Sequence, residues 1–495
     1  MVVNSYGFII FFVAFFVVYF LPVVRRNVKA QNCWTMMASL AFYAIADWRM
    51  TGLLIASIAL FFILGIWLRR QMDKGNEKNA AWITRMAVVI GIAILAVFKY
   101  LGFFADSIAA LLKAMGINVA WHTVNILVPV GVSFFAFKLI SYIIEIHRGK
   151  ITQQTSFVDF ATYIAFFPTI LSGPIDRPEP FLTQIRKPRS IKYKMAVDGC
   201  RQILWGVFVK MCIADNMSFV IDNAWNEGAY APGALNLVVA LMYPIALYAD
   251  FAGYSDMAIG VAKILGIRVA RNFNHPLLAR NMAEYWRRWH ISLTSWITDY
   301  VFMPLNIAMR DIGRWGTTIA VIINLVVIGL WHGANWTFAI FGLYHGLLFI
   351  PLIFSGTFGK NKKIKPYDLH IKHYNIALPK GKDLLMMIGT YLLVVVGHII
   401  FRATDISAAI TFTQNICSTS FFDFNFVTMG KVHWFMVCLF VILEWTHRQY
   451  EHPLQAMDYS FLKNYRIIRW AIYYLLILLM LRYQGEAHQF IYFNF

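Results

Sequence analysis

Uncharged or nearly uncharged apolar runs of membrane-spanning length recur from one end of this 495-residue chain to the other, and they narrow the possible folds more than any motif does. The first, Tyr6–Val24, has no charged residue; a helix needs about 20 apolar residues to cross a bilayer. No basic stretch precedes it and no small-residue cleavage site follows, so a retained helix is expected rather than a removed leader. Gly52–Leu68, Thr84–Phe104, Val124–Ile146, Ala196–Val220, Leu235–Leu265, Thr318–Trp331, Trp336–Phe354, Leu384–Arg402, His433–Trp445 and Ile468–Leu481 repeat the pattern, with a weaker segment at Cys33–Ala46. These runs are continuous rather than alternating, which predicts an all-α, polytopic membrane protein of about 11–12 transmembrane helices. Phe157–Leu171 is apolar but short, has basic residues beyond both ends and runs into Ser172-Gly173-Pro174, so it is expected to be re-entrant. No repeat or low-complexity linker divides residues 1–495, which are expected to form one membrane domain with its core at about 124–355.

Only 14% of the residues are charged, against about 25% in soluble domains. The net charge of +19 is not a nucleic-acid footprint, because the cations fall between the apolar runs, as cytoplasmic loops require. The Arg25, Arg26 and Lys29 group, the Arg69, Arg70, Lys74 and Lys78 group, and the arginines of 267–316 therefore mark the inner side. The five cysteines are scattered and unpaired in spacing, so they read as packing residues, with no metal site. With no Walker A loop, GxGxxG, HExxH or His-x4-Asp box, the sequence gives no support for ATP hydrolysis or soluble-type nucleotide binding.

Ionisable side chains at membrane depth are costly and mark functional sites by default. His332 follows a long apolar run inside Trp331-His-Gly-Ala-Asn-Trp336; a histidine there suits a general base, and a core histidine bonded to a carbonyl is the competing reading. His290 closes Glu284-Tyr-Trp-Arg-Arg-Trp-His290. Arg287 and Arg288, with Trp286 and Trp289, fit either an interfacial anchor or a basic mouth for a phosphate-bearing donor. Asp250 and Asp256 flank Gly253, Tyr254 and Ser255 in an apolar stretch and need partners, one of them expected to support a histidine or a backbone donor. His275, in the turn Asn272–Pro276, reads as structural. His345 and His398 read as satisfied core histidines, and His370 and His373 as solvated.

Taken together, Phe251–Gly260, Asn274–Pro276, Glu284–Leu293, Asp299-Tyr300 and Leu330–Trp336 resemble the membrane-bound O-acyltransferase family, and most of all its bacterial polysaccharide-acetylating, alginate O-acetylation branch. Val128–Phe135, Ser141–Ile144, Ser172–Pro174 and Phe490–Phe493 extend the likeness over nearly the whole chain. Where that branch often has a Gly-Gly-Asn-Arg-type loop after Asp-Tyr, this chain has Val301–Leu305 and then Asn306–Arg310.

The resemblance implies helices around a central funnel, with His332 at the family's near-invariant histidine and His290 at its second motif position. It implies acetyl-CoA or another acyl thioester as donor substrate, no bound cofactor, and location in the bacterial inner membrane. The acyl group would pass outward to an SGNH-hydrolase-type partner and a polysaccharide acceptor. The donor's phosphates would meet Arg287, Arg288 and Arg280, while His290 or Asn335 would orient the acyl carbonyl; Tyr254 and Asp256 complete the candidate substrate-binding set. The alternative is a transporter or flippase for an activated sugar or lipid that makes no bond, for which paired broken helices would be expected.

Overall fold

A computed structural model describes residues 5–118, 127–228, 231–358, 378–424, 426, 428–486, 488 and 490. The start of the Val124–Ile146 run, His370 and His373, and residues 491–493 of the closing motif lie outside the described residues. Among those described, 77% of the structure is helical and no strand occurs, as expected for an all-α membrane protein. The helices that matter here are α1 (Tyr6–Tyr19), α2 (Val28–Ala46), α3 (Trp48–Asp73), α4 (Glu77–Ala114), α5 (Val132–His147), α6 (Phe157–Ala165), α7 (Pro178–Ile185) and α8 (Tyr193–Glu227). They are followed by α9 (Gly233–Ile264), α10 (Met282–Arg288), α11 (Ile291–Ile297), α12 (Arg314–His332), α13 (Trp336–Leu347), α14 (Gly381–Arg402), α15 (Lys431–Thr446) and α16 (Arg466–Tyr483).

Seven described helices are long and apolar enough to span a bilayer: α3, α4, α8, α9, α12, α14 and the Trp336–Phe354 segment that begins with α13. Other apolar runs fall short of that length or hydropathy for local reasons. The first run stops at Tyr19 because Pro22 cannot continue a helix. In α2, Gln31, Asn32 and Thr35 are buried, and they are used for tertiary bonds: Gln31 donates to the Arg189 carbonyl (3.0 Å) and Asn32 to Asp159 (2.6 Å).

By its contacts the chain forms two compact units, residues 1–199 with 258–270, and residues 200–257 with 271–495. In the first, α6 ends at Ala165 and the chain continues without α-helix to Pro178. Such backbone is tolerated at depth only inside protein, and its partners are protein groups. Lys138 of α5 donates to Thr169 (2.9 Å), the Tyr163 hydroxyl donates to the Asp176 carbonyl (2.9 Å), and the Ala270 amide donates to the Asp176 carboxylate (2.7 Å). Gly131 enters α5 with φ 72°, and a Cβ there would run into the Ile170 carbonyl.

In the second unit a π-helical turn, Val209–Ala214, interrupts α8 and aims Lys210 at Asp215 and Asp250, both at 2.6 Å. The helices α12 and α13 form a tight hairpin. A Cβ on Gly329 would collide with the Phe338 carbonyl, and one on Gly342 with that of Leu325, so glycine at both positions lets the two backbones meet.

Candidate functional site

The hairpin decides where His332 sits. It is the last residue of α12, 3% exposed, and Gly333 follows in extended conformation against the Phe338 ring. His290 reaches the same place by another route. Between α10 and α11 its backbone turns left-handed (φ 44°), which is uncommon for a side chain other than glycine. The turn is fixed by the Ile291 amide donating to the Asn272 carbonyl (2.7 Å) and the Thr294 amide to that of His290 (2.9 Å). His290 is fully buried, and its ring lies 6.2 Å from that of His332, centroid to centroid. Phe251, Trp331 and Phe401 wall the pair, at 4.7 Å and 5.5 Å from His290 and 5.2 Å from His332 respectively. Burial drives the His290 pKa down to about 3, so the ring is neutral and offers one N–H and one lone pair.

The arginines separate into two kinds. Glu284 is buried between Arg280 (3.1 Å) and Arg288 (2.7 Å), and Arg288 also donates to the Asn274 carbonyl (3.0 Å). Burial pushes the Glu284 carboxyl up, but Arg288 and then Arg280 more than offset it and leave it below the usual range. Arg280 also approaches Asp383 (3.5 Å). Both guanidinium groups are thus committed to protein carboxylates. Arg287 points the other way; it is exposed and makes no hydrogen bond or ion pair among the described residues.

Arg287 lines a cavity of about 380 Å³. Its wall runs through Trp286 and Ile291, then Thr294, Ser295, Thr298 and Asp299 of α11 and the π-turn that follows it, and along α12 from Val321 to Ile328. Ile328 lies one helical turn before His332. The lining is mostly apolar with a few polar groups, the usual composition of a small-molecule site.

The remaining expected residues have protein partners within this unit. Trp286, which lines the cavity, and Trp289 are both buried: Trp286 donates to His345 (3.4 Å), and Trp289 stacks on Tyr285 (5.5 Å). Asn335 caps α13 through the Thr337 amide (3.1 Å) and donates to the Thr404 carbonyl (2.7 Å). Asp256 accepts from Gln202 (2.7 Å), Asp250 binds Lys210, and Tyr254 packs on Phe490 at 4.8 Å. None of Asn335, Asp256 and Tyr254 lines the cavity. The structural reading of His275 is supported by its contact with Glu444 (2.9 Å), to which Tyr248 also donates (2.6 Å). His398 has the Val394 carbonyl at 2.9 Å, in keeping with a core role.

Sequence inspection missed Lys210 and Asn324. Asn324 is the lone carboxamide inside the apolar run Thr318–Trp331, and that interruption is its signal; Lys210 shares Ala196–Val220 with Asp198, Arg201 and Asp215, so nothing in residue order sets it apart.

Comparison with known proteins matches residues 40–395 to the family model described as MBOAT, membrane-bound O-acyltransferase family. The chain is 34% identical over 418 residues to the probable alginate O-acetylase AlgI of Azotobacter vinelandii, covering 83% of this chain and 76% of the relative. It is 26% identical to the peptidoglycan O-acetyltransferase of Helicobacter pylori, over 80% of this chain and 76% of that one. The teichoic acid D-alanyltransferase of Streptococcus thermophilus is 32% identical over 49% of this chain and 60% of its own length.

Proposed function

The chain belongs to the membrane-bound O-acyltransferase family and is a multi-pass integral membrane O-acyltransferase; from that premise we propose that it takes an acetyl group from cytoplasmic acetyl-CoA and delivers it outward for O-acetylation of an extracytoplasmic polysaccharide. The observation that carries this reading is the His332–His290 pair, 6.2 Å apart, at the end of the helix along which the 380 Å³ cavity runs. Relatives named alginate O-acetylase and peptidoglycan O-acetyltransferase support a glycan acceptor. The inner membrane as location, and an SGNH-hydrolase-type partner completing the transfer, belong to the same proposal.

The chemistry needs little more than positioning and one base. The donor's phosphates meet Arg287, whose fork suits phosphate oxygens. The arm enters the cavity along α12 and brings the thioester carbonyl to the histidines. His332 takes the proton of the attacking hydroxyl as the new C–O bond forms. The C–S bond then breaks, and the thiolate recovers that proton from His332. A positioned general base contributes about 10²–10⁴-fold. Neutral His290 donates its N–H to the carbonyl oxygen as charge builds there. The aromatic wall of Phe251, Trp331 and Phe401 keeps water from competing for the thioester.

The test is label transfer. Membranes carrying this chain and its neighbouring gene products receive radiolabelled acetyl-CoA, and extracytoplasmic glycan is assayed for wild type and His332→Ala at matched expression. Label in wild type with a loss of at least about 10²-fold in the variant is expected. Equal labelling removes His332 from the mechanism. No labelling from acetyl-CoA in wild type, alongside uptake of an activated sugar or lipid, overturns the reading in favour of transport.

A further inference from the structure

The middle of α12 carries a side chain that the chemistry above does not use. Asn324 is the only carboxamide in the run Thr318–Trp331, whose other members are almost all aliphatic. A polar group in such a helix is costly unless it finds a partner, and it is usually satisfied by a neighbouring helix. Asn324 is not: its Oδ1 is buried and accepts no hydrogen bond from any described residue. The same side chain lines the 380 Å³ cavity.

The hydroxyls on that wall have already given their protons to hydrogen bonds within the protein and keep only acceptor lone pairs. Thr294 donates to the His290 carbonyl (3.2 Å), Ser295 to that of Ser292 (3.2 Å) and Thr298 to that of Thr294 (2.6 Å). Asn324 is therefore the carboxamide on that wall that can both donate to and accept from a ligand, and rotation of its amide presents either the oxygen or the N–H₂.

We propose that Asn324 is the cavity's amide-recognition residue, pairing with the amide of the donor arm that lies farther from the thioester. This rests on the thioester-donor reading. Spacing supports the choice of amide. Eight residues separate Asn324 from His332, about 12 Å along a helix. In a pantetheine arm the farther amide nitrogen is about seven bonds from sulfur, roughly 9 Å at the span of an extended chain. Another ~3 Å brings the reacting carbonyl to the base.

Two donors separate this assignment from a structural role. Acetyl-CoA has both amides; S-acetyl-N-acetylcysteamine keeps only the one nearer sulfur. Asn324→Leu is expected to raise KM for acetyl-CoA about 3–10-fold with kcat little changed, and to leave the short donor's kinetics as in wild type. Asn324→Gln, which restores a carboxamide, recovers part of the loss. Purified Asn324→Leu without donor is expected to melt no lower than wild type, because an unpaired buried polar atom has been removed. An unchanged KM for acetyl-CoA, an equal loss on both donors, or a lowered melting temperature overturns the proposal. If wild type uses neither thioester, the donor reading fails first and takes this inference with it; if wild type uses both and the variant matches it on each, only the inference fails.

Discussion

His290 shows how far residue type alone can be read. Its place in a tryptophan- and arginine-rich stretch marked it as a candidate, yet its usefulness depends on a left-handed backbone angle that residue order does not reveal. Asparagine is among the few residues that accept that angle readily. His290→Asn is therefore expected to keep the melting temperature within a few degrees while lowering kcat about tenfold or more; a stable variant at full activity would remove the imidazole from the reaction. Asp176 was not singled out, because an aspartate after Gly-Pro resembles any turn residue. In the structure it is 5% exposed, and burial raises its pKa to about 6 against the partial relief of Lys138 and the Ala270 amide. The folded state then binds a proton that the unfolded chain, titrating near 3.8, releases. The contribution is complete below about pH 4 and is lost as pH rises through about 6, a change on the order of 3 kcal/mol. Asp176→Asn keeps an oxygen for the Ala270 amide and abolishes the titration. Melting curves in detergent from pH 4 to 7 should fall for wild type and flatten for the variant; parallel slopes would refute the assignment.

At the scale of elements, hydropathy located the helices well because burial in lipid depends on local composition. Average composition does not by itself set helix length or partners, since a proline at 22 ends α1 and the amides of α2 are buried in tertiary hydrogen bonds. Tertiary choices were the harder part. Nothing in the order of residues tells that Arg288 closes on Glu284 while its neighbour Arg287 faces a cavity, because that depends on the rotation of a seven-residue helix. The α12–α13 hairpin makes the corresponding point for glycine. Gly342 and Gly329 permit backbone contact in the hairpin that holds His332, whereas a Cβ added at Gly389 on α14 would meet nothing within 4 Å. Gly342→Ala should destabilise by about 1–3 kcal/mol and reduce turnover by displacing His332. Gly389→Ala should be neutral or stabilising by up to about 1 kcal/mol through helix propensity. Thermal melts and label-transfer rates of the two variants check this together. Equal behaviour would mean that close packing of the hairpin does not position the histidine.

For the whole molecule, orientation is the property on which the direction of transfer depends, and it follows from charge rather than from packing. The net charge of +19 is concentrated between apolar runs, and a lysine- or arginine-rich loop stays on the cytoplasmic side. The stretch 267–316 holds seven arginines, including Arg287 at the cavity and Arg310, whose side chain is 78% exposed. The end of α8 has Asp222 and Glu227 instead. If the donor enters from the cytoplasm, Arg310 must face inward and Glu227 outward. Replacing the five native cysteines first is necessary, because Cys200, Cys417 and Cys438 are exposed. In that background Glu227→Cys should react with a membrane-impermeant thiol reagent on right-side-out vesicles, and Arg310→Cys only once the inner face is opened. The reverse pattern would put Arg287 and its cavity on the outer side, where acetyl-CoA is absent, and the donor would then have to be a different thioester or acyl carrier.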